Sequence, residues 1–208
     1  MLKRPIWLWL LPAMISQSSG GDLSLELKHL WKGQALSTPS KELLTGSGET
    51  IKLSRFAYLL SSPRLLSEHE ETSSGTWLRR KDWFGYVDAS RPGGLNRLEL
   101  GSLPARSYRT LQFSIGLSSE TDRADPSQYP ANHPLNPNYN NLHWTPQGGY
   151  IFLAAEGHLP GDETTGGFAY HLGKPRNRVV ISLPIALTLT KPTVLEINVH
   201  IDRIFGGE

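Results

Sequence analysis

Apolar and polar residues alternate with period two in several separate stretches of the chain, the pattern of strands that bury one face. In 23-LSLELKHLW-31 the residues Leu23, Leu25, Leu27, His29 and Trp31 share one parity, and Ser24, Glu26 and Lys28 share the other. His29 and Trp31 are therefore expected on the core-facing side of a first strand. A second strand is expected in 51-IKLSRFAYLLSSPRLL-66, where Ser61-Ser62-Pro63 interrupts or edges it. Residues 75–90 and 95–100 read as further strands or hairpin arms around a Pro92-Gly93-Gly94 turn. The clearest half-buried strand of the middle region is 109–118, with Leu111, Phe113, Ile115 and Leu117 on one side. Strands resume at 149–157, 167–173, 178–183 and 193–201, and in the last of them Leu195, Ile197, Val199 and Ile201 point inward and His200 outward.

Between these elements, residues 119–144 carry Pro126, Pro130, Pro134 and Pro137 and almost no periodicity. A structureless stretch of this length inside a compact domain is uncommon and tends to be functional or disordered. Tyr129, Leu135, Tyr139, Leu142 and Trp144 supply apolar anchors, which predicts an ordered loop. About nine short strands, no repeat and no long capped helical stretch predict an all-β fold: an antiparallel two-sheet β-sandwich with a long ordered loop. A barrel of eight or more strands is the alternative.

The first residues change the picture of charge. Lys3 and Arg4 precede the apolar stretch 6-IWLWLLPAMI-15 and the small polar run 16-SQSSG-20, which reads as a signal peptide over residues 1–20. Residues 21–208 then form one domain, and export to the periplasm or secretion is expected. The apolar stretch is too short for a membrane-spanning helix, which needs about 20 residues, so no stable membrane span is expected after cleavage. Lys3 and Arg4 account for the formal net charge of +2, so the mature chain is neutral. With no positive field and no long basic run, nucleic acid is a poor partner. The absence of cysteine removes disulfides, thiolate nucleophiles and Cys metal sites together.

Without cysteine, neutral imidazole is the strongest ligand left for a borderline transition metal. His29 at the end of the first strand, His171 near the end of the 167–173 strand and His133 in the long loop would meet if these ends share one rim of the sandwich. Each also has an ordinary reading. Inward parity at His29 is equally met by a core histidine bonded to backbone, His171 on the face of small Ala169 fills a gap or points into a cavity, and His133 before Pro134 is the kind of loop histidine that is simply solvated. His143 is a weaker candidate, and His69, His158 and His200 read as surface or turn residues. Trp31 and Trp144 are either core aromatics or, beside a redox metal, targets for oxidation. The spacings match no compact zinc signature, no G-x-S-x-G elbow is present, and Asp122, Asp125, Glu156, Asp162 and Glu163 read as surface charge.

The segment 142-LHWTPQGGYIFLAAEG-157 followed by 168-FAYHLG-173, preceded by Asn132-His133-Pro134 and 113-FSIGL-117, resembles the MbnP-like family of exported copper-associated proteins. So do 25-LELKHLWKGQAL-36, 55-RFAYLLSSPRL-65 and the closing 194-VLEINVHIDRIF-205, in the family's order across most of residues 22 to 205. The resemblance implies an exported β-sandwich related to methanobactin-operon proteins, holding a copper ion through histidines beside a kynurenine derived from tryptophan. It also implies a di-haem cytochrome c peroxidase-like partner that oxidises the tryptophan. Carried onto this chain, it makes His29 and His171 the first metal ligands, His133 a third ligand or loop-closing partner, Trp31 the first candidate for modification and Trp144 the alternative. Pro146 stands where relatives commonly have a second tryptophan, and the cysteines of many relatives are missing.

The leading functional expectation is an exported copper-binding protein without turnover of its own, acting in capture, storage or delivery. An alternative is a structural or recognition sandwich that binds carbohydrate or protein through exposed Tyr129, Tyr139, Trp144 and Tyr150. A copper-dependent oxidase, which needs an open metal position beside a substrate groove, is a third.

Overall fold

The computed structural model describes residues 20–67, 78–144, 148–161 and 167–206, so residues 1–19 of the expected signal peptide, His69, Pro146, Asp162 and Glu163 lie outside the described residues. The strands in chain order are β1 (Gly21–Trp31), β2 (Gln34–Ala35), β3 (Leu43–Leu44), β4 (Thr50–Ser67), β5 (Leu78–Arg79) and β6 (Phe84–Asp88). They continue with β7 (Leu95–Leu103), β8 (Arg106–Ile115), β9 (Ile151–His158), β10 (Gly167–Gly173), β11 (Val179–Leu189) and β12 (Thr193–His200). Two sheets form, as the alternation predicts. The smaller has the order β12-β1-β2 with β7 on β1; the larger has the order β10-β9-β4-β8-β11, with β3, β5 and β6 also on β4. This is a mostly antiparallel β-sandwich, not a closed barrel.

One pairing departs from the antiparallel expectation: β1 and β12 run parallel, with Leu25 opposite Leu195 and Leu27 opposite Ile197. The first and last strands are far apart in sequence, and parallel neighbours need only a long connection between them. Leu23, Leu25, Leu27 and Trp31 face Phe56, Tyr58, Leu60 and Leu111 across the sandwich in the main core. Burial of each such side chain contributes about 1.5–3 kcal/mol.

The strand expected over 51–66 is a single long β4. Ser61-Ser62-Pro63 neither ends nor edges it but makes a bulge, with the ladder to β8 shifting register between Ser61 and Arg64. Ser62 takes φ 54° there, a left-handed conformation that is unusual for a residue with a side chain. Likewise β11 runs on past Pro184 to Leu189, which is tolerated because β11 pairs only with β8 and has an open edge.

The outer face of the large sheet carries a second core. Ala57 and Leu59 of β4 and Ala154 of β9 lie under Leu117, Leu135, Leu142 and Tyr150. The 119–144 stretch is ordered, as its apolar anchors predict, and it is this cover. It contains two short helices, α1 (Ser119–Arg123) and α2 (Pro137–Asn140), each with a side-chain N-cap. Its backbone is satisfied by side chains: Asn140 Nδ2 donates to Pro134 O at 2.7 Å while Asn140 Oδ1 accepts from Leu142 N at 2.6 Å. The Tyr150 hydroxyl donates to Leu135 O at 2.7 Å, and buried Asp122 accepts from Tyr150 N at 2.8 Å. Packing and these bonds do here what disulfides do elsewhere.

Candidate functional site

His29 lies at the inner side of β1 with no exposed surface. Its Nδ1 is 2.6 Å from Gly94 O, and since a carbonyl only accepts, Nδ1 carries the proton. Nε2 is then the acceptor, and the Tyr58 hydroxyl donates to it at 3.1 Å. Phe56 and Tyr58 stand edge-on to the ring at 6.0 and 5.8 Å. Burial pulls the His29 pKa below its ordinary value, against the opposing effects of the Gly94 bond and the Asp88 charge. Burial likewise pushes the Tyr58 phenol up. A metal would have to displace a buried hydroxyl from the only lone pair of this ring, so His29 does not fit a ligand role. The core-histidine reading holds. Trp31 is also buried, its Nε1 donating to Leu44 O at 3.3 Å and its ring tilted against Phe205.

His133 belongs to the loop cover, stacked on Tyr129 at 4.6 Å and edge-on to Phe84. It is not merely solvated: its Nδ1 accepts from Leu135 N at 3.1 Å, which places the proton of the neutral ring on Nε2. Burial lowers its pKa. With the lone pair committed to backbone, this ring too lacks a nitrogen free to ligate as it stands.

His171 differs. It sits on β10 opposite Ala154 of β9, on the outer face of the large sheet. Its Nε2 is 2.9 Å from Glu156 Oε1, and the same carboxylate oxygen accepts from Arg55 Nη1 at 3.2 Å. Arg55 Nη2 in turn donates to the carbonyls of Asn140 and Asn141. The carboxylate fixes the Nε2–H tautomer, so Nδ1 holds the lone pair. A histidine backed by a carboxylate is the arrangement in which imidazole serves metals. Glu156, read from sequence as surface charge, is instead half-buried between β4 and β10; the signal was its position as the lone acid in the apolar run 149-GYIFLAAEG-157.

Trp144 joins this end of the face. Its half-buried ring packs on Gly173, two residues beyond His171 and hence on the same side of β10, so closely that a Cβ there would lie 2.3 Å from the indole.

The three imidazoles therefore do not converge. His29 is on β1 of the smaller sheet and faces the main core between the sheets, whereas His133 and His171 lie on the outer side of the large sheet, His133 beside β6 and His171 at the β10 flank. Among the described residues no group of three or more His, Asp or Glu side chains is arranged to hold a metal ion. Of the four aromatics expected on an exposed platform, Tyr150 is buried, Tyr129 and Trp144 are half-buried, with Tyr129 stacked on His133, and Tyr139 is exposed but leans on Tyr86.

Fold and face together define a two-sheet β-sandwich whose large sheet is roofed by a long, hydrogen-bonded loop, with a carboxylate-backed histidine and an indole at the edge of the roof. The MbnP family's sequence pattern matches residues 20–208, and the chain belongs to the MbnP family. Among solved structures it is similar to MbnP from Methylosinus trichosporium, with a TM-score of 0.52 and 16% identity over 81% of this chain and 71% of that one; at this identity the likeness is one of fold. No curated protein matches the chain. No helix among the described residues is long and apolar enough to cross a membrane.

Proposed function

We propose that this MbnP-family protein is exported and binds a copper ion without turnover of its own, at the outer face of the large sheet through His171 and not through His29. The observation that carries the reading is the 2.9 Å contact of His171 Nε2 with Glu156, which leaves Nδ1 as the ligating nitrogen. An ion held by one protein imidazole keeps open positions, which suits capture and delivery better than storage. Trp144 replaces Trp31 as the tryptophan to be converted to kynurenine by a di-haem cytochrome c peroxidase-like partner, because it shares the His171 face while Trp31 is enclosed in the main core.

Metal analysis of protein purified from a periplasm tests this. Copper per chain is expected to fall in His171→Ala and to persist in folded His29→Gln. Undiminished copper in His171→Ala would overturn the assignment. After co-expression with the oxidising partner, peptide mass spectrometry is expected to find the modification on the Trp144 peptide and an intact Trp31.

A further inference from the structure

A cavity of about 900 Å³ lies away from His171, where the β4 bulge, the β8–β11 ladder and the start of the loop cover meet. Its lining is charged in one direction. Arg64, Arg79, Arg80, Lys81 and Arg178 face it, against Asp82 and Glu120 alone. Among the described residues, none of Arg79, Arg80, Lys81 and Arg178 forms an ion pair with a carboxylate. Positive charge in a concave wall of low dielectric is costly unless an anion answers it, and the field there is focused outward.

The guanidinium groups are held in place for that purpose. Arg64 Nε donates to Gln112 Oε1 at 2.5 Å, and Arg178 Nη2 donates to Ser62 Oγ at 3.1 Å. Among the described residues, Arg178 Nε is buried without an acceptor. Ser62 is the bulge residue at φ 54°, so local backbone strain is spent on placing the hydroxyl that anchors Arg178. Burial and the neighbouring Arg79 charge pull the Arg64 guanidinium below its ordinary value, the sign of crowded like charge. Phe84, His133 and Tyr129 also line it, Tyr129 stacked on the His133 ring and Phe84 edge-on to it.

We propose that this cleft binds a small organic anion bearing two or more carboxylates, the carboxylates on the guanidinium forks and the carbon skeleton against these rings. Planar carboxylates match guanidinium groups bidentately, and the volume lies in the range of small-molecule sites. The site is independent of the copper assignment: it shares no residue with His171, Glu156 or Trp144.

Isothermal titration of the full purified chain at low salt, with citrate, acetate and inorganic phosphate as probes, tests it. Citrate is expected to bind once per chain, to weaken as salt rises, and to lose about tenfold or more in affinity in Arg178→Ala and in Lys81→Ala. Lys81 is exposed, so its substitution leaves the fold intact. Arg97→Ala, on β7 beside Glu99, is expected to change nothing. The proposal is overturned if citrate does not bind, if acetate or phosphate binds as tightly as citrate, or if folded Arg178→Ala and Lys81→Ala both keep the affinity.

Discussion

The Tyr58 hydroxyl donates to Nε2 of His29 across 3.1 Å inside the main core, closing a chain that begins at Gly94 O. The Gly94 carbonyl is delivered by the 92–94 turn, where Gly94 has φ 65° and passes so close to Leu36 O that a Cβ would meet it at 1.9 Å. A buried polar group left without its partner costs about 1–3 kcal/mol. Tyr58→Phe, which strands the Nε2 lone pair, is expected to destabilise the protein by about that amount. His29→Ala, which adds a cavity, is expected to cost about 2–5 kcal/mol. Urea denaturation measures both, and copper per folded chain is expected to stay the same in Tyr58→Phe.

Acid should act through the same ring. Burial lowers the His29 pKa, so the unfolded chain takes up a proton near pH 6.5 while the folded chain does not. Stability is therefore full above about pH 6.5 and declines as pH falls below it, by at most about 1.4 kcal/mol per pH unit until the folded ring itself titrates. His133, lowered in the same direction, adds to this. Asp88, whose pKa is lowered by its bonds to Ser90 and Tyr86 against the cost of burial, adds its own loss only in the carboxylate range below about pH 4. Comparing urea midpoints at pH 7.5 and 5.5, the wild-type drop is expected to exceed that of His29→Gln; equal drops would remove His29 as the source.

The alternation of Leu23, Leu25, Leu27, His29 and Trp31 was enough to place β1 and its buried face, because period two is a local property of a strand. The same holds for β12, for the loop cover, whose anchors Leu135 and Leu142 stand out against Pro and Asn, and for Leu111, Phe113 and Ile115 of β8; Leu117, expected on their side, instead joins the second core, because β8 ends at Ile115 and Gly116 turns the chain at φ 102°. Parity shows that His29 points inward but not what meets its nitrogens, since Tyr58 and Gly94 come from β4 and a distant turn. The pairing of β1 with β12 is just as remote. His171, Glu156 and Arg55 sit on three different strands, so their meeting depends on sheet order, which no local pattern encodes. The cationic cleft was invisible for the same reason: Arg79, Arg80 and Lys81 are consecutive in sequence, but Arg64 and Arg178 join them only through the β4 bulge and the β8–β11 ladder.

Gly173 tests the packing between β10 and the loop cover. A Cβ at this position would lie 2.3 Å from the Trp144 ring and 2.7 Å from Tyr150 O, and backbone cannot yield as a flexible side-chain tip can. Gly173→Ala is expected to destabilise by about 1–3 kcal/mol and to push the Trp144 indole outward. Thermal unfolding and a red shift of tryptophan emission check the two parts.

Glu156→Gln separates structure from metal binding at the outer face. The carboxylate and its partners are each 20–29% exposed, so the ion pair with Arg55 is screened and its loss is expected to cost only about 1 kcal/mol. The neutral amide still reaches Arg55 through its oxygen, and it still accepts from His171 Nε2. What it lacks is the negative charge that makes the opposite nitrogen a stronger donor to a metal. Removing such backing typically costs 10- to 100-fold in metal affinity. Glu156→Gln is therefore expected to keep a nearly normal melting temperature while its copper affinity, measured by competition with a chelator, falls by about that factor. His171→Ala should lose the ion altogether. If Glu156→Gln binds copper as tightly as the wild type, His171 does not ligate through the nitrogen that this carboxylate sets free.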